Sequence, residues 1–286
     1  MRTRNIIDAI IGIITTNEYD IRAHAIANNR ANAEGDALED YIKDIFAGTL
    51  KVTDAQTRDI RLSECFSYLG NTNNPPDIII KSGDAIEVKK ITKITSCLAL
   101  NSSYPKAKLY ANSHMINKAC RECEEWDVKD MLYAVGVVKT GKLKNLMFVY
   151  GDDYCASKET YERVYNAVKK GVKNINGVTL GVTKELGRIN HIDPMGITYM
   201  RMRGMWHIEN PFKVFSQYFT IKDADFNFVA IINEDKYNTF ANKGELEELV
   251  KKVDGLKITD TKIKDPNNLA KLKNAKVITY AYTITD

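Results

Sequence analysis

Hydrophobic positions recur along this chain with two periods, and the switches between them predict alternating helices and strands. Residues 5–15 place Ile6, Ile7, Ile10, Ile11 and Ile14 on one helical stripe. Residues 33–46 repeat the pattern with Ala37, Leu38, Tyr41, Ile42, Ile45 and Phe46, leaving Glu39 at its rim. Residues 117–129 also read as helical, as does a stretch capped by Ser157, running to Lys170 and stopping at Gly171. Strand patterns lie at 131–138 and 146–150, joined by a basic turn around Gly141, and again at 196–211, 226–232 and 277–283. Residues 243–253 form a charged amphipathic helix. This alternation predicts an α/β fold with a mixed central β-sheet flanked by helices.

One stretch stands out chemically. Ile78-Ile79-Ile80 and Ala85-Ile86-Glu87-Val88-Lys89 flank a Ser82-Gly83-Asp84 turn and predict a hairpin. Alternation sends Ile86 and Val88 into the core and leaves Glu87 and Lys89 together on the other, exposed face, with Asp77 arriving from the neighbouring strand. Two converging carboxylates repel unless a cation lies between them, and hard oxygen ligands of this kind suit magnesium. With a lysine beside them to hold or help deprotonate a water, they fit metal-assisted phosphodiester hydrolysis. For a lone Glu-x-Lys, a solvated hairpin is the competing account; Pro76-Asp77, the apolar strand and Glu87-Val88-Lys89 in order favour the nuclease.

Composition changes this picture little. The 286 residues are 44% hydrophobic and 27% charged, an ordinary globular balance, and a net charge of +4 names no partner by itself. Its distribution says more, since six lysines lie between Lys81 and Lys108 against only Asp84 and Glu87. Five cysteines, an odd number, fit reduced thiols in a cytoplasm. Cys120 and Cys123 share a helix face and read as small hydrophobes, because no second ligand pair follows them. No apolar run is long enough to span a membrane.

Polar clusters mark candidate DNA contacts. Asn28, Asn29 and Arg30 lie in a polar loop that contacts DNA or is simply solvated, and Asn101, Ser102, Ser103 and Lys106 offer donors for a phosphate, with common turn chemistry as the alternative. On a strand, Arg201 and Arg203 share one face, where each can fork onto a guanine edge; surface ion pairs are the alternative. Lys184 and Arg188, just upstream, add charge for the backbone. Beyond residue 220 nine lysines between Lys243 and Lys276 are matched by six acids, and no chemistry stands out. The reading is therefore a core over residues 1–219 and a small C-terminal α+β appendage over 220–286.

The chain resembles the PD-(D/E)xK nuclease superfamily through Pro76-Asp77 and Glu87-Val88-Lys89. Within it, the chain is similar to the type II restriction endonucleases of the NgoPII kind. That resemblance rests on Asn28-Asn29-Arg30-Ala31-Asn32, Gly35-Asp36-Ala37-Leu38-Glu39, Leu100-Asn101-Ser102-Ser103, Lys184-Glu185-Leu186-Gly187-Arg188 and Arg203-Gly204-Met205-Trp206-His207, within residues 5–218. It implies a restriction-endonuclease-like core and a prokaryotic, cytoplasmic homodimer that needs Mg2+ (Mn2+ can substitute). Such an enzyme cuts both strands of duplex DNA at a short palindrome, GGCC, beside a cognate DNA methyltransferase. Carried over, Asp77, Glu87 and the Val88 carbonyl hold the metal, Lys89 positions the water and Glu39 assists. Two rivals stay open: a structure-specific repair or junction nuclease on the same core, and a catalytically silent DNA-binding module.

Overall fold

The computed structural model describes residues 2–21, 30–70, 74–100, 103–183 and 185–284. Helix α1 (Ile6–Thr16) starts at a capping box, in which the Asn5 side chain accepts from the Ile7 amide and Asp8 accepts from the Asn5 amide. Helix α2 (Arg30–Ala47) begins earlier than its apolar stripe predicts, so Arg30 opens a helix instead of lying in a loop. Helix α3 (Ala55–Cys65) leads into β1 (Phe66–Tyr68), followed by β2 (Ile78–Ile80) and β3 (Ala85–Ile91). Next come the short β4 (Leu98–Ala99) and β5 (Lys108–Tyr110), then α4, which covers only Lys118–Arg121. The longer helix expected at 117–129 stops at Arg121, and by Val128 the chain has entered β6 (Val128–Lys139), paired with β5.

Strand β6 turns at Thr140 and Gly141 into β7 (Lys142–Tyr150), and α5 (Gly151–Tyr154) and α6 (Lys158–Lys173) follow. Helix α6 runs through Gly171 and caps at Asn174, and Ser157 begins it without a side-chain cap bond. A separate three-stranded sheet holds β8 (Thr179–Leu180), β9 (Gly187–Asn190) and β10 (Met200–Met202). The single strand expected over 196–211 is thus broken: β11 (His207–Ile208) pairs with β4 instead. Helix α7 (Pro211–Val214) leads to β12 (Phe226–Asn233), α8 (Glu234–Asn238), α9 (Lys243–Val250), β13 (Lys257–Asp265) and β14 (Asn268–Tyr282).

The central sheet is mixed, in the order β1-β2-β3-β6-β7-β12-β14-β13. Strands β3 and β6 are parallel, as are β7 and β12; the other pairs are antiparallel. Residues read from sequence as an appendage therefore supply three strands of this sheet, and no break in pairing falls at residue 220. Edge strand β13 carries exposed Lys257, Asp260, Lys262 and Lys264, charges that discourage pairing with another chain. This is why the segment reads as a solvated face although it is a strand.

Both faces of the sheet are covered. Ile78, Ile80, Ile86, Val88, Leu132 and Phe148 meet α1 and α2 on one side. Ile79, Tyr133, Val135, Met147, Val149 and Val229 meet Leu98, Leu109, Tyr154 and Phe212 on the other. The hairpin face expected to be exposed lies under this second layer, and Glu87 is only 8% exposed. No helix among the described residues is long and apolar enough to cross a membrane.

Candidate active site

Strands β2 and β3 pair at Ile78 with Ile86 and at Ile79 with Ala85. One rung further, Asp77 takes over: its amide donates to the Ile86 carbonyl at 3.1 Å, and its Oδ2 accepts from the Val88 amide at 2.7 Å. The carboxylate thus finishes the ladder where the strand ends, which fixes its place against β3. Gly70 passes so close that an added Cβ would sit 2.4 Å from the Asp77 carbonyl oxygen, and its φ of +79° also favours glycine.

Three oxygens converge on one ammonium. Lys89 Nζ lies 2.6 Å from Glu87 Oε1, 3.2 Å from the Val88 carbonyl, to which it donates, and 3.8 Å from Asp77 Oδ2. The second oxygen, Glu87 Oε2, is buried with no hydrogen-bond partner among the described residues. Burial and the neighbouring Glu87 push the Asp77 carboxyl up to about 7, with Lys89 opposing and Glu39 adding to the rise. Burial alone would depress Lys89, yet Glu87 and Asp77 together hold it above its usual value.

These residues fit a divalent cation. The oxygens facing the ammonium are those of Asp77, Glu87 and Val88, and an orphaned carboxylate oxygen beside them has a lone pair to offer. Among the described residues no three His, Cys, Asp or Glu side chains cluster as ligands, so the donor set is two carboxylates and a carbonyl. Such a set suits magnesium, which keeps waters and phosphate oxygens in its remaining positions. Cys120 and Cys123 fall outside any such cluster, and Cys120 is buried in the second core.

Glu39 is held by Lys43 at 2.8 Å and reaches Asp77 and Lys89 through its field, without a hydrogen bond. Its helix is tied to β3 by Glu34 and Lys90 at 2.7 Å. Lys106, expected as a surface phosphate donor, is instead 7% exposed. Its backbone clasps Tyr133, whose hydroxyl accepts from the Lys106 amide at 2.8 Å and donates to its carbonyl at 3.3 Å; Tyr133 is the strand partner of Glu87. The ammonium donates to the Ser103 hydroxyl and to the Tyr104 carbonyl at 3.3 Å. Burial brings Lys106 down to about 8, with Glu87 opposing. Sequence patterning gave no sign of this, since a lysine after Tyr-Pro looks like any turn residue.

A second group lies on the small sheet. Arg201 and Arg203 share a face, as expected, but both are held by Glu185. Arg188 is the strand partner of Arg201, donates to Asn190 at 3.2 Å and stacks its guanidinium over Tyr199. No ion pair among the described residues links this group to the Asp77 cluster. Asn28, Asn29, Asn101, Ser102 and Lys184 lie outside the described residues, as does the side chain of Arg30.

A salt-bridged knot fixes the hairpin turn from the far end of the chain. Lys236, on α8, lies 2.7 Å from both Asp84 and Asp130, and the Tyr150 hydroxyl donates to Asp84 at 2.6 Å.

The chain matches the model of the NgoPII restriction endonuclease family over residues 4–264. It is 52% identical over 278 residues to the type II restriction enzyme NgoPII of Neisseria gonorrhoeae, covering 96% of this chain and 99% of that protein. The likeness thus extends well past residue 220. No solved structure matches the chain.

Proposed function

Since the chain belongs to the NgoPII restriction endonuclease family and is a type II site-specific deoxyribonuclease, we propose that it hydrolyses both strands of duplex DNA at a palindrome, GGCC, with magnesium. The observation that carries this reading is the convergence of Glu87 Oε1, the Val88 carbonyl and Asp77 Oδ2 on Lys89 Nζ. Asp77, Glu87 and the Val88 carbonyl hold the metal. When bound, Mg2+ (or Mn2+) supplies Lewis-acid charge at the phosphate and acidifies water.

The residues divide the remaining work. Lys89, held by the two carboxylates, donates to the attacking water or a phosphate oxygen and orients it. Asp77, locked to the Val88 amide, keeps its carboxylate aimed at the site. Glu39 adds negative field from α2. The polar Arg188, Arg201 and Arg203 face meets the DNA. A palindromic target matches a homodimer, each copy cutting one strand, and survival of the host's own DNA calls for a cognate methyltransferase.

Digesting one sequenced plasmid with magnesium and reading the fragment ends tests this. Discrete fragments ending within GGCC are expected, with cleavage lost in Asp77→Ala and Lys89→Ala while duplex binding persists. Nicking that follows DNA structure instead would favour a repair or junction nuclease, and robust cutting by both variants would remove the mechanism.

A further inference from the structure

Glu185 holds two arginines at once. Its Oε1 lies 2.7 Å from an Arg201 terminal nitrogen and 2.6 Å from Arg203 Nε, and its Oε2 accepts from Arg201 Nε at 3.2 Å. The Arg201 contact is a two-pronged fork, the geometry in which guanidinium also grips phosphate or a guanine edge. The carboxylate is itself well seated: its side chain is 18% exposed against 50% and 62% for the arginines, and its amide donates to Thr183 Oγ1 at 3.0 Å. The paired arginines hold the Glu185 carboxyl below its usual range.

The charge does not balance. One carboxylate serves two guanidiniums, and Arg188 stands directly across the strand pair from Arg201. Like charges in that position destabilise a sheet, so a surface with no anionic partner gains nothing from them. On the opposite side the small sheet packs on α6, where a Cβ on Gly187 would strike Val172. The arginine face is thus the one turned outward.

We propose that Glu185 is a specificity-determining residue, an internal counter-ion that occupies the Arg201 fork and the Arg203 Nε until DNA replaces it. This rests on the reading that this face meets DNA. A phosphate offers a fork two acceptors and a charge, as Glu185 does, but on any sequence, so exchanging one for the other brings little net gain. Target DNA adds a guanine edge with its own pair of acceptors, and that extra contact repays the loss of Glu185. Non-target DNA is held weakly because part of the positive charge is already neutralised within the protein.

The test uses the full chain in a Lys89→Ala background, in magnesium buffer. Binding is measured to a duplex carrying the target and to one lacking it, across a salt series. Glu185→Gln keeps the shape and an acceptor but removes the charge. It is expected to tighten non-target binding about tenfold and to steepen its salt dependence by roughly one released counter-ion, so the ratio of target to non-target affinity falls. Unchanged non-target binding and an unchanged ratio in Glu185→Gln would overturn the proposal, even if Arg201→Ala and Arg203→Ala lose affinity. If those two variants bind like the parent, the face does not meet DNA and the proposal falls with that reading. Thermal melting of each variant separates these outcomes from loss of fold, and Glu185→Asp, which restores the charge, is expected to recover weak non-target binding.

Discussion

Replacing Asp77 with asparagine should make the metal-free protein more stable at pH 8 while abolishing cleavage. A carboxyl whose pKa rises from 3.8 to about 7 in the fold costs on the order of 4 kcal/mol to carry ionised, at about 1.4 kcal/mol per pH unit. The sign follows from proton counts. Between about pH 4 and about pH 7 the folded chain holds a proton that the unfolded chain has lost, so stability falls as pH rises through that window. The substituted asparagine carries no such penalty, and its amide oxygen can still accept from the Val88 amide. Urea unfolding in a chelator should therefore show Asp77→Asn ahead by roughly 2–4 kcal/mol at pH 8, shrinking toward zero near pH 4. Adding magnesium should raise the parent's stability and leave the variant nearly unmoved, since only the parent keeps both carboxylates. A variant less stable than the parent at pH 8, or a gap that does not change with pH, would refute the account of the site as two acids forced together.

Three further outcomes follow from neighbouring features. Gly70→Ala should lose roughly 2 kcal/mol or more and most of the cleavage rate, because its methyl group meets the Asp77 backbone at a positive φ; a normal melt and normal rate would contradict this. Lys106→Met should gain roughly 1–3 kcal/mol at pH 7 by removing a charge that burial disfavours. That gain should fade between about pH 8 and pH 10.5, where the folded lysine is neutral but the unfolded one still binds a proton; a gain constant over that range in urea melts would count against it. Lys236→Met leaves Asp84 and Asp130 without a shared partner, and should cost about 3–5 kcal/mol in the same assay, with Asp84→Asn restoring part of the loss.

The helix α1 and the hairpin were legible because their signals are local: isoleucines at helical intervals, and β-branched runs about a turn. Asp77, Glu87 and Lys89 could be grouped from spacing alone, since strand pairing brings them together. Their burial was not legible. An alternating strand looks half-exposed whatever covers it, and the core layer on the Glu87 face draws on Leu109, Tyr133 and Tyr154, all distant in sequence. The same holds for β13, whose outward lysines hide a strand at the sheet edge, and for Lys236, which meets Asp84 across 152 positions. Arg201 and Arg203 were correctly set on one face, but the partner that occupies them, Glu185, is 16 and 18 residues away across a bend in the chain.

Strand β14 lies between β12 and β13, so a strand synthesised after both of them is an interior plank of the sheet. A nascent chain that has emerged only to residue 265 has β13 with no neighbour to bond and β12 with one bare flank. Folding of that half must wait for β14, and a stop codon before residue 268 removes a supporting beam rather than a trailing ribbon. For an enzyme that cuts DNA, a sheet that closes only once β14 is made also keeps half-made copies from being competent.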